Sequence, residues 1–266
     1  MEKVTVIKVG GAVVEDEATL QALIHDFASL EGLKVLVHGG GRSATRIASQ
    51  LGIESQMVGG RRITGDEMIS VVTMVYGGLV SKRLVALLQA EGVNALGVTG
   101  ADMDLIRSHK RPLKEVTMDD GSKQMIDFGW VGDVDCADGK QLKMLLESGV
   151  VPVVAPLTHD GEGHILNTNA DTMAQTVATA LAPYYNVTLT YCFEKPGVLR
   201  DAEDDNSVIS TITPNEYAQL KSDGIVSGGM IPKLDNAFQA LESGVERVII
   251  TQATNLDGSK GTCLMK

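Results

Sequence analysis

The sequence predicts an α/β fold, a three-layer αβα sandwich around a mostly parallel central sheet, on three observations. Short runs of Val, Ile and Leu recur along the 266-residue chain, and segments of helical periodicity separate them. The runs are apolar throughout rather than alternating, as strands covered on both faces require. Strand and helix patterns also take turns along the chain, which is how a sheet between two helix layers reads.

The first run, VTVIKV at 4–9, ends on Gly10 and Gly11, and a helix is expected near 17–30. LKVLVH at 33–38 ends on Gly39, Gly40 and Gly41 before a helix near 42–51. One long helix is expected near 65–91, then the strand VNALGV at 93–98. Residues 112–135 break the rhythm with polar, alternating sequence, and Asp120-Gly121 is a hairpin-turn signal, so a β-hairpin lid outside the main sheet is expected there. Beyond it come a helix near 138–148, VVPVVA at 150–155, a helix near 170–182 and VTLTYC at 187–192. Helices near 214–221 and 231–243 and the run RVIIT at 247–251 complete the pattern. No Pro/Ser-rich linker or repeat interrupts it. The expected division is an N-terminal lobe, 1–180, and a C-terminal lobe, 181–266, joined by continuous packing.

Composition narrows the function. Hydrophobic residues make up 44% of the chain, with 29 Gly and 7 Pro, which suits an enzyme rich in βα turns. A net charge of -11, with no basic run longer than Arg61-Arg62, argues against nucleic acid. Cys136, Cys192 and Cys263 lack any C-x-x-C spacing, so free thiols are expected, not a zinc site or a disulfide framework. No apolar stretch reaches the ~18 residues of a bilayer span, and no leader precedes the first strand. A cytoplasmic chain is the expectation.

Two glycine clusters each follow a strand and open a helix. They suit either two tight turns or a cradle of backbone N–H groups for phosphate. There is no G-x-x-x-x-G-K-[ST] and no G-x-G-x-x-G. His38 to Gly41 has the form of a lipase oxyanion loop, but no G-x-S-x-G supplies a nucleophile. Lys8 lies inside an otherwise apolar strand, with only Val9 between it and the glycines. Either it snorkels to water from the strand end, or it reaches an anion held by the adjacent amides. Lys233 follows Pro232 in a helix first turn, where a cation opposes the helix dipole, so something negative is expected nearby unless the residue is simply exposed. In LNTNAD, capping alone would explain Asn169 and Asp171. Arg62 is either a solvated loop charge or a guanidinium fork for a carboxylate. His159 and His164 match no zinc spacing and are expected at the surface, with no resident metal.

Taken together and in this order, KVGG, HGGGR, GGRRIT, ILNTNAD and SGGMIPK resemble the motif set of the amino acid kinase family over essentially the whole chain. The resemblance implies the amino acid kinase fold and ATP-dependent phosphorylation of the side-chain carboxylate of an N-acylated glutamate, a step of arginine biosynthesis. Other acceptors on the same fold, or a non-catalytic amino-acid-sensing module, are the alternatives. Retention of both Lys8 and Lys233 speaks against a sensor, which needs no phosphoryl-stabilising cations.

The resemblance further implies that Lys8 and Lys233 stabilise the transferring phosphoryl group and that Asp171 positions them. Gly10, Gly11, Gly40 and Gly41 would donate amides to phosphoryl oxygens or substrate. Arg62 would hold the substrate α-carboxylate, and Asn167, with Asn169 beside it, would orient the substrate. Dimerisation and acceptor binding would fall to the N-terminal lobe. ATP would lie over the C-terminal lobe, near Glu194, Lys195, Gly197, Val198 and Leu199 and near Ile225, Val226 and Ser227, with Mg²⁺ held mainly through phosphate oxygens. An ionised carboxylate needs no general base, so the absence of a candidate histidine is expected.

The chain departs from the family pattern in three places. Glu194-Lys195-Pro196-Gly197 replaces D-V-x-G, GADMDLI at 100–106 replaces S-G-K-D-G, and Arg61 takes a place usually apolar. Arg61 raises the expectation of an acidic acyl group such as succinyl. The first strand begins by Val4 with no helix ahead of it, so the resemblance implies a homodimer insensitive to arginine.

Overall fold

All six apolar runs become strands of one eight-stranded sheet. Its order is Thr211–Ile212, Thr262–Leu264, Arg247–Gln252, Asn186–Phe193, Lys3–Val9, Leu33–His38, Val151–Val154 and Ala95–Val98. Every pairing is parallel except that of Arg247–Gln252 with Thr262–Leu264. The computed structural model describes residues 1–118, 121–256 and 260–266.

Period-two alternation sends each strand's side chains to two separate cores. Val4, Val6, Val35 and Val37 enter one, with Met173, Val177, Leu234 and Phe238 from the helices Ala170–Leu181 and Met230–Glu242. Ile7, Val9 and Leu36 enter the other, with Leu20, Leu23, Ala44 and Leu84 from helices on the opposite face. The sheet is covered on both sides, which is why its strands carry no polar alternation.

The helix expected at 65–91 is instead three segments, α-helical Asp66–Val72, π-helical Thr73–Val80 and α-helical Ser81–Ala90. The widened turns contain Gly77 and Gly78, which weaken an α-helical ladder. By length and a mean hydropathy of 1.5, Asp66–Ala90 would pass as a membrane span, contrary to the expectation that no stretch does. Val71, Val72, Val75, Val80, Leu84 and Leu88 spend that apolarity on the core.

Strands Lys114–Thr117 and Lys123–Ile126 form the expected hairpin apart from the main sheet. Gly121 adopts the left-handed φ of +81° that a turn glycine provides, while its predicted turn partner Asp120 lies outside the described residues. The end of that segment is not hairpin. Gly132–Ala137 pairs antiparallel with Ile106–Lys110 in a second, four-stranded sheet with Leu157–His159 and Ile165–Asn167. That sheet carries part of the site.

Lys34 is buried in a strand as Lys8 is, for a structural reason. Its ammonium donates to the carbonyls of Phe27, Ala28 and Leu30 at 2.8, 2.9 and 2.7 Å, closing the C-terminal end of the Glu17–Ser29 helix. Lys34→Met should orphan these carbonyls at a cost of about 2 kcal/mol, lowering Tm by roughly 5 °C for a chain of this size. Differential scanning calorimetry beside steady-state assays checks this, with kcat expected to stay at the wild-type value.

Candidate active site

Alternation along the first strand decides what Lys8 meets. Its side chain shares a face with Val4 and Val6, under the Ala170–Leu181 helix. There the ammonium, in a residue 6% exposed, forms an ion pair with Asp171 at 2.6 Å. Asn169 caps that helix, accepting from the N–H groups of Asp171 and Thr172 at 2.9 and 3.1 Å, and this sets Asp171 in the first turn. Tyr191, the register partner of Lys8, donates its hydroxyl to the Asp171 carbonyl at 3.3 Å. Capping and charge pairing therefore coexist in LNTNAD.

Lys233 approaches from the Met230–Glu242 helix, which has no acidic residue in its first turn and no side-chain cap. Its ammonium stands 3.8 Å from the centroid of the Phe193 ring, and that of Lys8 stands 5.3 Å from the same ring. One aromatic ring lies beside both cations. Burial lowers the Lys233 pKa from its ordinary 10.5, Asp171 opposes that shift, Lys8 adds to it and Glu194 opposes it. The negative neighbours expected from the sequence are Asp171 and Glu194.

The two glycine turns press against each other, with the Gly39 N–H donating to the Val9 carbonyl at 2.9 Å. A methyl group placed on Gly11 would face the backbone nitrogens of Gly41, Gly40 and Arg42 at 3.6, 3.7 and 3.8 Å. Gly41 and Arg42 open the Gly41–Gln50 helix, so their N–H groups have no partner within it. The point they surround is an anion cradle that a side chain would fill. Gly40 is required for another reason, since a Cβ there would lie 2.8 Å from the Tyr76 ring.

Two clefts meet at Gly41. The first is lined by Gly40, Arg61, Arg62, Arg111, Asn167 and Asn169. The Arg62 residue is 7% exposed, and its guanidinium donates to the Gly41 carbonyl at 2.9 Å, to Thr45 Oγ1 at 2.8 Å and to Ser55 Oγ. These acceptors are all neutral. Asn167 donates to Thr64 Oγ1 at 3.0 Å.

The second cleft is lined by Lys8, Gly10, Gly11, Phe193 and Lys233, together with Glu194, Lys195 and Gly197. Glu194 is exposed and accepts from Arg42 at 3.2 Å, while Lys195 pairs with Asp205 at 2.9 Å. Gly197 is closely packed, since a Cβ would lie 2.9 Å from Thr262 Oγ1. Val198, Leu199, Ile225, Val226 and Ser227 are not among the lining residues. Val198 and Val226 are each 2% exposed and belong to the core, against which Ile225 packs. Leu199 bridges to Val208, and Ser227 is exposed.

Phe193, Tyr76 and Arg111 are among the cleft residues not singled out from the sequence. Phe193 had a usable signal, as the residue that ends a strand just before the atypical Glu194 loop. His159, expected at the surface, has a side chain only 16% exposed and bonds Asp104 at 2.7 Å. Asp104 also pairs with Arg107, and Asp102 accepts from the Thr99 backbone at 2.6 Å, so the GADMDLI loop is held by its own acids. His38 is fully buried, and burial pushes its pKa down to about 4. It is neutral and structural.

Two clefts joined at glycine turns, a lysine–aspartate pair at the junction and a second lysine across a shared ring could hold a phosphoryl donor beside an anionic acceptor. The model of the amino acid kinase family matches residues 3–252, a span that includes both clefts. Acetylglutamate kinase from Bacteroides thetaiotaomicron is 60% identical over 265 residues, covering 100% of this chain and 99% of that one. Acetylglutamate kinase from Phocaeicola vulgatus is 58% identical, with coverage of 100% and 99%. Among solved structures, smu.665 from Streptococcus mutans is similar with a TM-score of 0.78 at 26% identity, covering 98% of each chain. Fold, site and sequence agree that the chain belongs to the amino acid kinase family.

Proposed function

We propose that the chain transfers the γ-phosphoryl group of ATP to the side-chain carboxylate of an N-acylated L-glutamate, with N-acetyl-L-glutamate as reference acceptor, in a cytoplasmic step of arginine biosynthesis. The observation that supports this reading is the junction of the two clefts at Gly41, with Lys8, Lys233 and the Gly11 cradle lining the second cleft beside it. The relatives named acetylglutamate kinase, 58–60% identical, supply the acceptor.

ATP brings the transferring group: an acceptor carboxylate oxygen bonds to the γ-phosphorus, the bond to the β,γ-bridging oxygen breaks, and an acyl phosphate and ADP result. Arg62 holds the acceptor α-carboxylate in the first cleft, with Asn167 orienting the chain so that its side-chain carboxylate points toward Gly41. The cradle amides and the two lysines take up charge spreading over the phosphoryl oxygens. Asp171 holds Lys8 in place. Glu194 is the one carboxylate among the described residues lining the second cleft, which suits Mg²⁺ bound mainly through phosphate oxygens. We assign nucleotide binding chiefly to residues 181–266 and acceptor binding and dimerisation to 1–180.

No proton has to leave the nucleophile, so kcat should be flat across neutral pH. Its basic limb should lie below the ordinary lysine value, because burial lowers the Lys233 pKa and the cation is lost as pH rises through it. Lys233→Arg keeps the charge and should move that limb upward. A pH profile of kcat for both proteins decides it, and an unmoved limb would detach the titration from Lys233.

A homodimer accounts for the exposed Met74 and Leu79 on the long helix and Leu96 on the edge strand Ala95–Val98. Light scattering should give twice the 28.2 kDa chain mass, and a monomer would refute it.

The activity itself is tested by trapping the acyl phosphate with hydroxylamine, using Mg-ATP and a panel of free and N-acylated amino acids. Turnover of N-acylglutamates and not of free glutamate is expected. No product with any acceptor would overturn the kinase reading in favour of a binding module.

A further inference from the structure

The first cleft holds more positive charge than a single α-carboxylate can use. Arg61, Arg62 and Arg111 all line it. Arg62 is bound only to neutral acceptors, and Arg61 has no ion pair among the described residues. Arg111 is 8% exposed and turns one edge of its guanidinium to Asp133, at 3.2 and 3.1 Å from Nε and 2.5 Å from Nη2. Its Nη1 is buried without a hydrogen-bond partner. Arg111 and Arg61 are also close enough to feel each other, since burial first and Arg111 second lower the Arg61 pKa, against the opposing charges of Asp133 and Asp171.

Asp133 answers one of these three guanidiniums and Lys8 already occupies Asp171. Two positive charges therefore remain in the cleft. The acceptor's side-chain carboxylate is directed out of it, toward Lys8 and the cradle, which leaves one α-carboxylate for two cations. A buried N–H left unpaired beside an unanswered guanidinium is costly unless a ligand completes it. Met57 and Val131 in the same lining give methylene groups an apolar wall.

We infer that the acceptor carries a third carboxylate, at the end of a short dicarboxylic N-acyl group, and that Arg61 together with the free edge of Arg111 binds it. This rests on the N-acylglutamate kinase reading and specifies its acceptor. Arg62 takes the α-carboxylate, and the Arg61–Arg111 pair sets the preference for the acyl group.

Three acceptors test it with Mg-ATP: N-succinyl-L-glutamate, N-butyryl-L-glutamate as an uncharged analogue of equal chain length, and N-acetyl-L-glutamate. The expected kcat/KM for the succinyl compound exceeds that for the butyryl compound by at least about tenfold, one charge-assisted contact's worth. That ratio should collapse toward unity in Arg61→Met and shrink in Arg111→Lys, which cannot keep Asp133 and reach a second carboxylate at once. Raising the salt concentration should leave much of the ratio intact for a buried contact. Efficient turnover of the acetyl and butyryl compounds without preference for succinyl would overturn the inference and leave the kinase reading standing. A succinyl preference unchanged in both variants would overturn the assignment to Arg61 and Arg111. No turnover of any of the three would overturn the kinase reading itself.

Discussion

Lys8→Ala and Lys233→Ala should each lower kcat by about 10²- to 10³-fold, the loss seen when one preorganised charge leaves a transition state. The KM values for ATP and acceptor should move far less, because both ammoniums act on charge that develops only as the phosphoryl group transfers. Their stabilities should differ. Lys8 and Asp171 are a buried pair with side chains 8% and 14% exposed, so Lys8→Ala strands Asp171 and should cost about 3 kcal/mol. Lys233 has a π-face contact and no ion pair among the described residues, so Lys233→Ala should melt close to wild type. Equal losses of kcat with unequal losses of Tm would separate catalysis from scaffolding. Unchanged kcat in both variants would remove the lysines from the mechanism.

The contrast between Lys8 and Lys34 shows how far the sequence could be read. Both are lysines in apolar strands, and both end up buried, at 6% and 8% exposed. In sequence they look alike, since an ammonium in a covered strand requires a partner without naming it. Lys34 finds three helix-terminal carbonyls on its own side of the sheet. Lys8, on the opposite face and next to a glycine turn, finds a carboxylate and an open cleft. What raised Lys8 above Lys34 was the pair of glycines after it.

The main sheet was legible because parallel strands covered on both faces have little but Val, Ile and Leu. The strands that were missed, Thr211–Ile212 and Thr262–Leu264, are two and three residues long and too short for any period to register. The π-helical turns were hidden because a widened turn keeps an apolar face that reads as α-helical. Arg111 was invisible for a different reason. Its partner Asp133 lies 22 residues away on a neighbouring strand, and only the antiparallel register of the second sheet brings them together. On the nucleotide side, Val198 and Val226 follow glycine-bounded loops as the cleft residues do, but their side chains are buried in the core, which a short apolar stretch beside a glycine does not reveal.

Gly11→Ala should abolish most of the activity while leaving the fold intact. The backbone at Gly11 is not left-handed, so alanine is conformationally free there. The added methyl would meet its nearest neighbours, the nitrogens of Gly41, Gly40 and Arg42, at 3.6–3.8 Å, which is ordinary van der Waals contact. Gly11 also begins the Gly11–Glu15 helix, where alanine is the better helix former. Tm should therefore hold or rise slightly, as Gly→Ala does at compatible positions. The methyl would nonetheless occupy the point that the three amides surround, displacing a phosphoryl oxygen from its donors. Losing that cradle should reduce kcat/KM for ATP by at least about 10²-fold, on the scale of a lost oxyanion donor. Gly10→Ala tests a different contact, because its methyl would meet the Lys8 ammonium, at 3.9 Å, and leave the three amides open, so its loss of kcat/KM for ATP should be the smaller of the two. Thermal melts and ATP titrations of both variants provide the comparison. A fully active Gly11→Ala enzyme would mean that no anion enters the cradle during the reaction, and the phosphoryl group would have to be placed elsewhere.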